Sequence, residues 1–178
     1  MRTRERDSRA ARTLPRWILV QVAGASVIMG CAATKLPDPG SVEFDSAELW
    51  LSSGPDSARV EVDLACSTQE QDVGLRGRRE LAEDRGVLFL FESTRGAAEG
   101  FWMWDTSIPL DIAYLDEGGV VRRIHAMEPC MQGDPDACPV YEAGVPHRAA
   151  LEVNRSWLSG NGVSVGWKAD LQGLCPLE

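Results

Sequence analysis

The sequence predicts a mainly β protein: a single compact antiparallel domain, sandwich or barrel-like, with two short helices. Three observations predict it. Segments of strand length alternate in polarity or run apolar throughout, as in "ARVEVDLA" and "GVLFLF". Turn residues separate them at short intervals, and helical periodicity is confined to two brief stretches. At 178 residues with 44% apolar and 25% charged side chains, the chain is long enough to bury one ordinary core.

The first element is not part of that domain. Residues 1–31 carry six arginines (Arg2, Arg4, Arg6, Arg9, Arg12, Arg16) against Glu5 and Asp7, followed by the uncharged run Trp17 to Gly30 and then Cys31. A basic start and an apolar run shorter than the ~20 residues of a comfortable membrane span describe a signal peptide. Gly30 directly before Cys31 gives the lipoprotein form, with Cys31 the acylated residue. The expectation is a protein exported to the periplasm or outer envelope and held to the membrane by lipid on Cys31. Residues 32–45, with Pro37, Pro39 and Gly40, read as a flexible tether, which leaves 46–178 as the domain. Taking the local +4 of the first 31 residues from the overall −9 puts −13 on the remainder. Such a body repels phosphate backbones, so nucleic acid is not an expected partner. A monomer is expected.

Strands are expected at "AELWL" and "ARVEVDLA", where Val60, Val62 and Leu64 alternate with Glu61 and Asp63. "STQEQDVGLRG" reads as a short helix with a Thr68–Gln71 capping box. "GVLFLF", Gly86 to Phe91, reads as a strand buried on both faces. Phe101–Trp104 and Ile112–Asp116 are strands around "DTSIP"; "EGG" is a hairpin turn into "VVRRIHAM". "HRAALEVN" is a further strand, "RSWLSGNG" a short helix capped by Asn154 and closed by Gly160 or Gly162, and "VSVGWKADL" the last strand.

With Cys31 acylated, four cysteines remain, an even number suited to an oxidising compartment. Cys130 and Cys138 flank a Gly- and Pro-containing loop that can fold back on itself, and they are expected to pair. Cys66 and Cys175 then pair by subtraction.

Four blocks carry a family resemblance: "VDLACSTQEQDVGLRGRRELAEDRGVLFLF", "FWMWDTSIPLDIAYLDEGGVVRRI", "MEPCMQGDPDACPVY" and "ALEVNRSWLSGNGVSVG". In this order they resemble the domain of unknown function 192 family over roughly residues 60 to 170. The Phe-Trp-Met segment followed by Thr-x-Ile-Pro-Leu-Asp-Ile is its hallmark. The resemblance implies a compact, β-rich domain, often exported in bacteria, and no established activity. Two segments depart from the family pattern. Trp104-Asp105 stands where Lys-Asn is usual, and Arg76-Gly77 where a Met and an aromatic are usual, which shifts local polarity from cationic towards acidic and aromatic.

Candidate chemistry concentrates in "FWMWDTSIPLDIAYLDEGG". In a strand, Phe101 and Met103 face one way and Trp102 and Trp104 the other. One pair is core; the other, with Asp105 and Asp111 as polar anchors, suits sugar rings, peptides or cationic groups. The first expectation is a non-catalytic module binding a small molecule, glycan or protein through Trp102, Trp104, Asp105 and Asp111. The alternative is an envelope hydrolase using Asp105 and Asp111 as paired carboxylates. No cofactor or metal is expected. His125 and Cys130 lack the close ligand pairs of zinc sites, and Met103, Met127 and Met131 read as core filler rather than a copper set. No nucleophile elbow or phosphate loop occurs.

Overall fold

The computed structural model describes residues 36–175; the expected signal segment and the expected acylation site, Cys31, lie outside them. Nine strands and two helices follow in chain order: β1 (Asp45–Ser53), β2 (Asp56–Ala65), α1 (Thr68–Val73), β3 (Arg85–Arg95), β4 (Gly100–Trp102), β5 (Leu110–Leu115), β6 (Val121–Met127), β7 (Val140–Glu142), β8 (His147–Asn154), α2 (Trp157–Gly160) and β9 (Lys168–Ala169). The fold is mainly β, as expected.

Seven strands form one sheet in the order β6-β5-β8-β3-β2-β1-β9, and β4 pairs with β7 in a second. The large sheet curls on itself. Lys168 bridges Val120 at the start of β6, and the Val121 N–H donates to the Trp167 carbonyl at 2.8 Å. Every pairing within it is antiparallel except β2 with β3, which run parallel from Glu61 beside Arg85 to Ala65 beside Phe89. A parallel neighbour needs a crossover, and α1 with the following loop supplies it.

Each face of the curled sheet carries a core. One gathers Leu49, Val60, Leu88, Leu151, Trp157 and Trp167; the other gathers Val87, Phe89, Met103, Ile112, Tyr114 and Met127. Adjacent residues of β3 therefore serve opposite cores, which is why "GVLFLF" has no polar face. Each fully buried Leu, Ile or Phe contributes roughly 1.5–3 kcal/mol. The hairpin at "EGG" needs Gly119, whose φ is 76° and where a Cβ would lie 2.2 Å from the Ala169 carbonyl oxygen.

Several elements differ from the sequence reading. The cap of α1 lies one residue earlier: Ser67 Oγ accepts from the Glu70 N–H, and Glu70 Oε2 accepts from the Ser67 N–H at 2.7 Å. Gln71 instead turns inward and donates to the carbonyls of Ala65, Cys66 and Leu90. Asn154 does not cap α2. It stays in β8 and donates to the carbonyls of Leu81 and Ala82, while Ser156, at φ 68°, holds the N-cap position without a side-chain bond. The last strand shrinks to Lys168–Ala169 because Gly166, at φ 99°, breaks the extended run. β4 ends at Trp102, because a Thr106 N–H to Met103 carbonyl bond of 3.0 Å turns the chain. The described part of the segment read as tether lies against the domain: the Pro37 carbonyl accepts from Arg76 Nη2, Phe44 packs on the second core, and β1 begins at Asp45.

Candidate functional site

Strand alternation places the opening aromatics as expected. Met103 is buried and Phe101 half-buried in the second core, whereas Trp102 is 41% exposed. Within the turn, Trp104 leans back to Trp102, with ring centroids 5.7 Å apart and 39° between planes. Its Nε1–H donates to the Gln132 carbonyl at 3.1 Å, which fixes the ring against the cysteine loop. Asp105 sits at φ 54°, a conformation costing a non-glycine residue of order 1 kcal/mol or more. Its backbone is held on both sides: its N–H donates to the Cys130 carbonyl at 2.9 Å, and its carbonyl accepts from the Gly77 N–H at 2.7 Å.

Arg76 is the member of this site that the functional reading of the sequence did not select. It is 7% exposed, with its guanidinium carbon 5.4 Å from the Trp104 ring centroid. Nη1 is buried without a hydrogen-bond partner. The two segments that depart from the family pattern, Arg76-Gly77 and Trp104-Asp105, are thus neighbours in space. The Arg76 guanidinium lies over the Trp104 ring, a cation–π contact between them.

Asp111 lies elsewhere in role. It is buried in β5, where Oδ2 accepts from the Ser156 N–H at 2.8 Å and Oδ1 faces Arg155 Nε at 3.5 Å. Arg155 also donates to the carbonyls of Leu110 and Met127 and to Glu128, tying the ends of three strands together. Burial raises the Asp111 pKa, and the Ser156 N–H and Arg155 pull it back. Both oxygens hold the scaffold, so Asp111 does not join Trp102 and Trp104 in a site. A pair of free carboxylates across a cleft, which the hydrolase reading needs, is therefore not formed.

The cysteines are brought together as expected. Cα atoms are 5.9 Å apart for Cys130–Cys138 and 5.8 Å for Cys66–Cys175, within the disulfide range. Disulfides belong to an oxidising, exported setting. Cys130 is thereby taken from any zinc set, and His125 Nε2 lies 2.9 Å from the Glu142 carbonyl oxygen. Met103 and Met127 are buried in the core while Met131 is exposed. Among the described residues no helix is long and apolar enough to cross a membrane.

Two cavities lie away from the tryptophans, beside the Cys66–Cys175 bridge. The larger, about 770 Å³, has Leu64, Leu90, Phe91 and Leu174 among its lining. The smaller, about 380 Å³, is lined by polar groups including Thr68, Ser93 and Thr94. Cys66, Thr68 and Glu92 line both. No motif marks them in the sequence, because their walls come from β1, β2, α1, β3, β8 and Leu174–Cys175.

A buried acid also escaped the sequence reading. Glu152 on β8 stands beside Val87 and Ile112 of the flanking strands and is 4% exposed. Burial pushes its pKa up to about 8. At the start of the same strand His147 is pushed down by burial, and the Tyr114 hydroxyl is pushed up, first by burial and then by Glu152.

Comparison with known proteins follows the fold. Residues 50–171 match the model of DUF192, described as an uncharacterized ACR, and the chain belongs to that family. A crystal structure from Sinorhizobium meliloti 1021, described as a "putative transcription regulator", is 27% identical with a TM-score of 0.63, covering 72% of this chain and 95% of that one. A protein of unknown function from Novosphingobium aromaticivorans DSM 12444 is 26% identical with a TM-score of 0.60, covering 70% and 84%. No curated protein is matched.

Proposed function

We propose that this DUF192 member is an exported, lipid-anchored, non-catalytic binding module that presents the Trp102–Trp104 face, with Asp105 beside it, to a small molecule, glycan or protein partner. The observation that carries the reading is the pairing of an exposed Trp102 with a Trp104 fixed by its bond to Gln132. Exposed indole faces on a rigid scaffold offer a large apolar contact at low entropic cost, and the scaffold here is a sheet buried on both faces. The cysteine pairs and the basic, apolar start ending in Gly30-Cys31 support the exported, anchored setting. The description of the Sinorhizobium meliloti structure as a regulator does not transfer. A net −13 over residues 32–178 opposes contact with nucleic-acid phosphates.

A ligand screen by thermal shift on the full chain, run beside Trp102→Ala, tests the binding reading. A hit whose shift disappears in the variant supports it; hits unaffected by the variant place binding elsewhere. Replacing Cys31 by Ser and fractionating cells tests the anchor. Unchanged membrane association and unchanged mass would refute acylation.

A further inference from the structure

We infer that the 770 Å³ cavity beside the Cys66–Cys175 bridge is a second binding site, separate from the tryptophan face, and that it takes an anionic amphiphile. Its volume lies in the range of sites that enclose drug-sized ligands. Leu64 and Phe91 are nearly buried, and Leu90 and Leu174 half-buried, around the same space. Together they give an apolar lining for a short hydrocarbon body.

Charge decides the head group. Arg148, from β8, lines the cavity half-buried and makes no ion pair among the described residues. Three acids also line it, and each is weaker than it looks. Glu70 already accepts from the Cys66 N–H, the Ser67 N–H and the Ser67 hydroxyl. Asp45 and Glu92 are exposed at the rim, where water and salt screen them. A half-buried cation that no acid among the described residues pairs is the group that gains most from a ligand charge. The smaller cavity shares Thr68 and Glu92 with the larger and adds Ser93 and Thr94, so a head group can extend onto hydroxyls. Leu174 and Cys175, the latter tied to Cys66, form the remaining wall, so the site is complete only with the bridge in place.

The test uses the full-length protein with decanoate, decanol and decyltrimethylammonium, each far below its aggregation concentration. Binding is followed by calorimetry and mapped by NMR chemical shifts. The expected result is saturable decanoate binding that perturbs Leu64, Leu90 and Leu174, with Trp102 unmoved. Arg148→Gln should weaken decanoate by about tenfold, the value of one charge-assisted hydrogen bond, and leave decanol unchanged. If the cationic amphiphile binds as well as decanoate, or Arg148→Gln changes nothing, the head-group assignment is overturned. If the shifts map away from these leucines in the wild type, the site itself is overturned, whatever the variant does.

Discussion

Replacing Glu152 by Gln should change how stability depends on pH more than it changes the fold. The carboxyl is 4% exposed between Val87 and Ile112, and burial alone carries its pKa from 4.5 to about 8. The folded state therefore holds a proton that the unfolded chain releases. The sign follows: stability is full below pH 4.5 and falls as pH rises towards about 8, where the folded state must ionise too. At about 1.36 kcal/mol per pH unit, the whole window is worth up to ~5 kcal/mol, an upper bound because water reaches an ionised group in a loosened sheet. Asp111, also raised, acts in the same direction. His147, lowered from 6.5, acts in the opposite one: its contribution is lost as pH falls through and below 6.5. Urea unfolding followed by tryptophan fluorescence from pH 4.5 to 8.5 reads the difference. The wild type should lose stability across the window while Glu152→Gln stays nearly flat, leaving the variant the more stable near pH 8. Parallel curves for the two proteins would show that Glu152 is ionised or solvated in the native state, and the argument from burial would fail.

Other substitutions separate scaffold from site. Opening the Cys66–Cys175 bridge, at a separation of 109, should cost roughly 4–5 kcal/mol by loop-closure entropy, and opening Cys130–Cys138, at a separation of 8, roughly 2–3 kcal/mol; denaturant melts of the serine variants check both, and alkylation with intact mass should count no free thiol among these four in the wild type. Phe101→Ala should cost about 3 kcal/mol, because the ring packs edge-on against Phe89 at 4.7 Å and against Tyr114 at 5.9 Å. Trp104→Lys should cost about 1–2 kcal/mol by removing the cation–π partner of Arg76 and the bond to Gln132. Adding Arg76→Met should recover part of that loss, and strictly additive melts would show that the two positions are uncoupled.

The sequence by itself determined the β class, most strands, the cysteine pairs and the split of Phe101 and Met103 from Trp102, because these follow from period-two alternation, turn residues and counting. β8 runs over His147–Asn154, the segment its pattern marks, since that strand is continuous and buried along most of its length. Where a local signal had two solutions, tertiary structure chose. Ser67 and Thr68 each offer a cap, and Gln71 was needed inward for three carbonyls. Asn154 sits before a helix but serves the carbonyls of Leu81 and Ala82, more than seventy residues away. Asp111 reads as a site carboxylate near a proline, yet Arg155 and Ser156, just past the end of the neighbouring strand β8, claim it. The meeting of Arg76 with Trp104, the cavity beside the Cys66–Cys175 bridge and the burial of Glu152 all join segments distant in sequence. Local pattern reports the propensities of neighbours along the chain; which distant groups share a desolvated space depends on strand order and register, and only the folded sheet fixes those.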